Sequence, residues 1–180
     1  AVAQVPMDPL DARDAPTEAA WRLLAHIAQT PFYQRLRVEL QLGYAVFSGI
    51  RQINGQTGLL FGVQSPHAST AQIFEHIRNF LVDLPNLVSA LDETSFTQAR
   101  AALAQQFSIE ALGVSQASEL LWQATLAGHP SDYLTALYPA LMALDQGTTL
   151  KAARQISQAD SRWLCVATSP PTETFYPGRS

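Results

Sequence analysis

The chain has 180 residues, of which 47% are hydrophobic and only 14% are charged, and it carries a formal net charge of −4. This length allows one domain with a single sizeable core. The ten arginines and one lysine form no basic stripe, and no apolar run approaches the roughly 18 residues of a membrane span, so we expect neither nucleic acid nor a membrane as a partner.

The cysteine count and the first residues bear on the compartment. Cys165 is the only cysteine, which excludes an internal disulfide and a zinc cluster built on several cysteines. Residues 1–6 lack the basic residues and the long apolar stretch of a secretory signal, so the cytoplasm is the expected compartment. Because the chain begins without a methionine, we expect a fragment of a longer protein. The low charge fits either a domain that lies against others or compositional drift.

The first elements in chain order are a strand end and a helix. Residues 1–5 are predicted to end a strand, and a polar connector rich in proline and aspartate follows. Thr17 is the predicted N-cap of a helix over residues 18–30, whose apolar positions recur at the helical period. Pro31 is expected to interrupt this helix, and a shorter helical turn then leads to Gly43.

A hairpin and a series of helices are predicted next. Two strands, over residues 44–51 and 58–64, flank Asn54-Gly55, the dipeptide that most strongly indicates a hairpin. A helix with a broad apolar face follows over residues 69–84. Four more helices are predicted over residues 93–107, 115–127, 133–144 and 150–157, with breaks at Gly113, Gly128 and Gly147.

The last predicted element is a strand at residues 163–167, followed by a tail, 170–180, that we expect to be loose. Cys165 in this strand is expected to be a small buried hydrophobe. Strands and helices are partly segregated along the sequence rather than alternating. This pattern predicts an α+β fold, with an antiparallel sheet and helices packed on one face.

The four histidines suggest no metal site. Residues 72–76 read Gln-Ile-Phe-Glu-His, one residue short of the His-x-x-Glu-His helix in which two histidines bind zinc and the glutamate activates water. Gln72 stands where the first ligand would be, and glutamine is a poor zinc ligand. His26 and His76 are interpreted as helix-flank residues, and His67 and His129 as loop residues. We therefore expect no metal bound by this chain.

Arg37 and Tyr44 are the candidate site residues, because they flank one predicted helix-to-strand junction. An arginine offers a planar fork of donors that suits a peptide carbonyl or a carboxylate. A tyrosine hydroxyl can donate to the oxyanion that develops when water attacks an amide. The residues alone favour a structural role, with Arg37 paired to Glu39 or Glu75 and Tyr44 packed at a strand edge.

A family resemblance reverses that preference. In one order, the chain carries Leu-Arg at 36–37, Gln-Leu-Gly-Tyr at 41–44, Val-Phe-Ser-Gly at 46–49, the Asn-Gly turn, and Gly-Leu-Leu-Phe-Gly-Val-Gln-Ser at 58–65. This run, dense over residues 33–65, resembles the C-terminal half of the insulysin and pitrilysin family of zinc metallopeptidases. The later helices and the last strand are compatible with the family but not diagnostic.

The resemblance implies a fold and a role for each part. Proteins of this family contain four homologous α+β domains of the LuxS/metallohydrolase-like metallopeptidase type, arranged as two halves that close around a peptide. Zinc, its ligands and the catalytic glutamate belong to the first domain, so zinc is expected in the N-terminal half of the full-length protein and no cofactor in this chain. The last domain contributes an arginine and a tyrosine that match Arg37 and Tyr44, which hold the substrate backbone and stabilise the tetrahedral intermediate. Tyr33 is expected to line a side-chain pocket.

The resemblance also implies that residues 1–180 form a single domain, the fourth of a longer peptidase, inactive alone and lacking its first strand or two. Val38, Glu39 and Leu40 depart from the more polar residues usual in insulysin. Residues 51–66 are most similar to the bacterial branch that serves pyrroloquinoline quinone biosynthesis, whose peptidases trim the cofactor's small precursor peptide. The expected partners are that peptide and the N-terminal half of the same polypeptide. The alternatives are a catalytically dead scaffold or docking subunit of the same fold and an unrelated binding module.

Overall fold

The structure, a computed structural model, describes residues 1–7, 14–53, 56–108, 112–126, 128–158 and 163–168. In chain order these ranges hold β1 (Val2–Pro6), α1 (Ala15–Tyr33), a π-helical segment (Gln34–Glu39), β2 (Ala45–Ile53), β3 (Gln56–Gln64), α2 (Thr70–Ser89), α3 (Glu93–Gln105), α4 (Val114–Leu126), α5 (Tyr133–Ala143), α6 (Gln146–Ser157) and β4 (Leu164–Val166). The predicted Asn54-Gly55 turn and the tail 170–180 lie outside the described residues.

The strands form one antiparallel sheet in the order β2–β3–β1–β4. β2 and β3 pair without a break from Ala45 opposite Gln64 to Ile53 opposite Gln56, which confirms the two predicted hairpin strands. β1 pairs with β3 on one side and with β4 on the other. The helices cover the face that carries the buried residues of the strands. The predicted α+β fold is therefore confirmed.

α1 is the central helix of the core, because it packs against β2 and β3 and also against α5 and α6. Near its end, Phe32 is completely buried. The Phe32 ring meets Phe61 of β3 and Phe80 of α2 edge-on, at ring-centroid distances of 5.0 Å each. Such pairs contribute about 0.5–1.5 kcal/mol beyond the burial of their area. This aromatic cluster joins α1, α2 and the sheet at the C-terminal end of α1.

α1 begins earlier than predicted and runs through its proline. Asp14, rather than Thr17, is the N-cap, and its carboxylate accepts from the Thr17 N–H at 3.0 Å. Pro16 lies in the first turn, where a missing N–H removes no helical bond. The prediction that Pro31 interrupts the helix was wrong, since α1 continues beyond it. The burial of Phe32 directly after the proline holds the backbone helical at that point.

Two helix boundaries also differ from prediction. α6 starts at Gln146 rather than at 150, because Asp145 caps it by accepting from the Thr148 N–H at 2.6 Å. Gly147 therefore lies in the first turn of α6 and is not a break between helices. α2 continues past the predicted end at 84 and ends at Ser89, with Pro85 inside the helix.

The environment of Cys165 was predicted wrongly. The thiol is exposed rather than buried. β4 is a strand of three residues, all of them exposed, and among the described strands it pairs with β1 alone. An apolar sequence at a sheet edge gives the same local pattern as a buried strand, so the sequence alone could not separate the two.

The core also contains a buried polar cluster that was not among the predictions from the sequence. Glu18 of α1 is completely buried. Its Oε1 accepts from Arg22 Nη2 at 2.7 Å and from the Tyr133 hydroxyl at 2.5 Å, and Arg22 Nη2 also donates to that hydroxyl oxygen at 2.9 Å. Burial raises the pKa of the Tyr133 phenol above its ordinary value, so the hydroxyl keeps the proton that it donates. The cluster ties α1 to α5.

We expect Tyr133→Phe to lower the free energy of unfolding by about 1–3 kcal/mol, because buried Glu18 loses a donor. Urea denaturation followed by circular dichroism measures this change. Tyr138, a partly buried tyrosine of the same helix, supplies the control, since Tyr138→Phe should change stability by less than about 0.5 kcal/mol. Equal unfolding midpoints for the two variants would contradict the role of the Tyr133 hydroxyl.

Candidate functional site

The junction between α1 and β2 holds the predicted site residues. Arg37 lies in the π-helical segment that follows α1. The wider turn of this segment appears in the bond from the Leu40 N–H to the Arg35 carbonyl, and the Leu42 N–H then donates to the Leu36 carbonyl, both at 3.0 Å. Leu36 and Leu42 are buried and anchor the turn in the core. π turns are frequent at functional sites.

Two residues of this turn, Gln41 and Gly43, have an unusual backbone conformation or an unusually close backbone neighbour. The sequence assigned the turn to Gly43, but the left-handed residue is Gln41, with a φ of 49°, a conformation that costs about 1–2 kcal/mol for a residue with a side chain. Gly43 instead allows a close approach, because a Cβ there would lie 2.1 Å from the Gln64 carbonyl oxygen. The Tyr44 N–H donates to that same carbonyl at 3.1 Å. The last residue of β3 thus fixes the backbone of Tyr44.

The side chains of the three predicted site residues all reach the surface. Tyr33 is 46% exposed and Tyr44 is 61% exposed, while Arg37 is partly buried. Across the described residues no hydrogen bond or ring contact joins the three to one another. The structure therefore brings them to one junction as separate groups.

Arg37 is not committed to a structural ion pair. In the described ranges it pairs neither with Glu39 nor with Glu75, the two partners that a structural role would use. The arginine of this segment that does form an ion pair is Arg35, whose Nη1 lies 3.3 Å from the Asp83 carboxylate of α2. The π-helical segment is thereby linked to α2, and the guanidinium of Arg37 stays available to a ligand.

The face of the sheet turned away from the helices carries several exposed apolar side chains. Phe47 of β2, 49% exposed, lies over Gly62 of β3, where a Cβ would be 2.2 Å from the ring. Leu164 and Val166 of β4 are each more than half exposed on this same face. Exposed apolar side chains that form a continuous patch are a common feature of surfaces that bind peptides or other parts of a protein. Tyr44 directly precedes β2.

The residues considered for zinc have other roles. In the described parts of the chain, no group of three or more His, Cys, Asp or Glu residues could hold a metal ion. Gln72 forms a capping box at the start of α2: its Oε1 accepts from the Ser69 N–H at 2.9 Å, and Ser69 Oγ accepts from the Gln72 N–H at 3.3 Å. Burial lowers the pKa of both His26 and His129, and the His129 ring stacks on Tyr133 at 3.9 Å.

A cavity of about 880 Å³ lies at the opposite end of β2 from Tyr44 and does not include the predicted site residues. Its lining includes Arg22, Arg51, Phe107 and Glu119. Arg22 is already bonded within the buried polar cluster, and Glu119 accepts from a neighbouring glutamine at 2.8 Å. The cavity thus offers few uncommitted polar groups.

None of the described helices combines the length and the hydrophobicity needed to cross a membrane.

Comparison with solved structures defines the class of domain. Pitrilysin matches with a TM-score of 0.69 and 23% identity over 86% of this chain and 16% of that chain. The inactive peptidase domain of a proposed zinc protease from Bordetella parapertussis matches with a TM-score of 0.73 and 15% identity, over 95% of this chain and 93% of that chain. The fold is therefore that of a pitrilysin-type peptidase domain.

Sequence comparison identifies the family. A family model described as PQQ synthase PqqF-like, C-terminal lobe domain 4, matches residues 23–122, which include the junction. Coenzyme PQQ synthesis protein F of Pseudomonas protegens is 53% identical over 162 residues, 90% of this chain and 20% of that protein. The chain belongs to the PqqF-like C-terminal lobe domain 4 family, which confirms the resemblance seen in the sequence. It spans about a fifth of the length of this relative.

We expect Gly43→Ala to destabilise the junction by about 1–3 kcal/mol, because the new methyl group meets a carbonyl of the β-ladder that cannot move alone. Gly62→Ala is the matched control: its methyl group meets the half-exposed Phe47 ring, which can rotate away. Thermal unfolding of both variants measures the difference. A smaller loss for Gly43→Ala than for Gly62→Ala would show that the approach of Gly43 to Gln64 is not a constraint.

Proposed function

We propose that this chain is the zinc-free C-terminal part of a zinc metallopeptidase and helps to enclose and orient a peptide substrate. The observation that carries the proposal is the junction between α1 and β2. It presents Arg37, which has no ion pair among the described residues, and Tyr44, which is 61% exposed. Both are held on a turn that buried leucines and backbone bonds fix. The exposed apolar side chains on the outer face of the same sheet, among them Phe47, are candidates to contact the substrate's side chains.

Arg37 binds and positions the substrate backbone. Its guanidinium offers two parallel N–H donors to a carbonyl or a carboxylate, a geometry that an ammonium group cannot reproduce. The π-helical turn is anchored at Leu36, so the base of the arginine side chain does not have to be ordered when the peptide arrives. Tyr33, exposed at the end of α1, supplies one wall of a pocket for a substrate side chain.

Tyr44 stabilises the charge that develops on the attacked amide. Its hydroxyl donates to the oxyanion, and a donor placed in advance needs no reorganisation at the moment of reaction. A zinc ion in the N-terminal half of the full-length protein would supply the Lewis acid and the activated water. The residues of this chain bind and orient the peptide and donate a hydrogen bond to the oxyanion.

We further propose that the full-length protein acts in pyrroloquinoline quinone synthesis on the cofactor's precursor peptide. The support is the printed role of the relatives, among them the Pseudomonas protegens protein at 53% identity. The cytoplasm and a single domain over residues 1–180 stay predictions. The alternative, a dead scaffold or docking subunit, predicts that Arg37 and Tyr44 can be replaced without any effect on peptide cleavage.

We expect Tyr44→Phe in the full-length protein to lower kcat by about tenfold to a thousandfold, the effect of removing one oxyanion donor. Steady-state cleavage of a peptide, followed by mass spectrometry, measures it. Tyr138→Phe removes a hydroxyl from α5, away from the junction, and serves as the control. Unchanged kcat in a folded Tyr44→Phe variant would support the scaffold alternative.

Arg37→Ala should mainly raise KM, by about tenfold or more, because a charged hydrogen-bond donor to the substrate is lost. Arg37→Lys should recover only part of the loss, since the charge returns without the planar fork. Arg154, an exposed arginine of α6, supplies the control variant Arg154→Ala. Kinetics equal to those of the control would show that Arg37 does not bind the substrate and has a structural role.

A further inference from the structure

Arg35 is held in the π-helical segment through both its backbone and its side chain. Its carbonyl accepts from the Leu40 N–H at 3.0 Å, which is the bond between residues five apart that makes the turn wide. Its Nη1 donates to Asp83 Oδ2 of α2 at 3.3 Å. Arg37, the proposed ligand of the substrate backbone, lies between Arg35 and Leu40 on the same turn. The contact of Arg35 with α2 therefore acts on the turn that presents Arg37.

The Asp83 carboxylate has a donor on each of its two oxygens. Oδ2 accepts from Arg35, and Oδ1 accepts from Asn86 Nδ2 at 2.9 Å, three residues further along α2. The bond within α2 restricts the rotation of the carboxylate, so less side-chain freedom is lost when Arg35 pairs with it. Asp83 is thus a fixed point on α2 to which the π-helical segment is attached.

The aromatic cluster fixes the distance between α1 and α2 next to this ion pair. Phe32 of α1 and Phe80 of α2 are buried, with their ring centroids 5.0 Å apart. Arg35 and Asp83 each lie three residues beyond these two phenylalanines, so roughly one helical turn separates the ring contact from the ion pair. The buried rings hold the two helices together, and the ion pair extends that contact into the π-helical segment.

A π-helical turn needs support from its surroundings, because such turns are rare and the α-helical form competes with them. A π turn holds one residue more than an α turn, so relaxation to α-helical bonding would rotate the residues that follow by about 100° around the helix axis. The Arg37 guanidinium would then point in another direction. Buried Leu36 and Leu42 oppose this change from the core, and the ion pair of Arg35 opposes it from α2.

The ion pair is exposed enough for its effect on the site to be separated from its effect on stability. Its two side chains are 39% and 41% exposed, and exposed pairs contribute little to folding because water and salt screen them. In contrast, a displacement of about 1 Å in a group that positions a substrate can lower activity by about a hundredfold. Loss of this pair should therefore be measurable in substrate binding.

We propose that Asp83 of α2 is a positioning residue for the peptide substrate, because it holds the π-helical turn through Arg35 in the form that presents Arg37. The inference rests on the proposed function, in which Arg37 binds the substrate backbone. It adds to the site a residue that acts through others and forms no bond with the peptide. The pair also commits the Arg35 guanidinium to Asp83, so the turn presents one arginine to the peptide instead of two.

The test uses the full-length protein, with the oxidised B chain of insulin as the probe peptide. Asp83→Asn removes the charge and keeps the shape of the side chain. We expect KM to rise by about threefold with little change in kcat, a smaller effect than that of Arg37→Ala, because Arg37 is displaced and not removed. Glu75→Gln is the matched control, since Glu75 is an exposed acid of the same helix and takes part in neither ion pair of the described residues. Its KM should stay the same.

A double-mutant cycle shows whether Asp83 acts through Arg37. In the Arg37→Ala background, Asp83→Asn should have no further effect on KM, since the group that it positions is absent. An equal increase of KM in both backgrounds would overturn the proposal, and so would equal KM values for Asp83→Asn and Glu75→Gln.

Charge reversal tests the contact itself. Arg35→Asp and Asp83→Arg should each raise KM, because each places two like charges at the contact. The variant that carries both substitutions should recover towards the KM of the unmodified protein, since the pair forms again with its charges exchanged. A double variant whose KM is no lower than that of either single variant would overturn the proposal.

The outcome separates this inference from the function on which it rests. If Arg37→Ala raises KM while Asp83→Asn leaves it unchanged, the positioning role of Asp83 fails and the proposed function stands. If Arg37→Ala leaves KM unchanged, the substrate contact of Arg37 and the positioning role of Asp83 fail together. If both raise KM and their effects are not additive, Asp83 positions the peptide through Arg37.

Discussion

The packing of Phe32 between Phe61 and Phe80 is the contact on which the rest of the structure depends. It is made by three elements at once, since the rings come from α1, β3 and α2 and stand 5.0 Å apart in the two pairs that include Phe32. The contact keeps α1 helical beyond Pro31, where local sequence favours a break. It therefore decides where α1 ends and from which point the chain returns to the sheet.

The geometry of the candidate site follows from that end point. Beyond Phe32 the chain has only a few residues in which to turn back into β2, and it does so by widening into a π-helical turn and by adopting a left-handed conformation at Gln41. Buried Leu36 and Leu42 hold the two sides of the turn. The side chains from Arg37 to Gln41 lie outside the core, partly buried or exposed. Arg37 and Tyr44 reach the surface for this reason, on a backbone that has little freedom to move.

Sequence reasoning succeeded where the signal is local and failed where the partner is distant. The hairpin strands, the broad apolar face of α2 and the place of Tyr44 at a helix-to-strand junction follow from periodicity and turn chemistry. The exposure of Cys165 depends on the place of β4 at the sheet edge, which is set by pairing and not by its own residues. The buried bond between Glu18 and Tyr133 joins residues 115 positions apart. A glutamate and an arginine four residues apart were its only signal, and that spacing is also usual on exposed helices.

A comparison of the buried Glu18 cluster with the α1–β2 junction shows why a concentration of charged residues does not by itself identify a functional site. Glu18 and its partners are buried, bonded to one another and committed to joining α1 to α5. The α1–β2 junction is different, because it gathers a left-handed non-glycine residue and an arginine without an ion pair in the described ranges. Each of these departs from what a stable fold alone would select, and such departures are expected where a function requires them. Their concentration in one turn is the argument that the α1–β2 junction is the functional part of this domain.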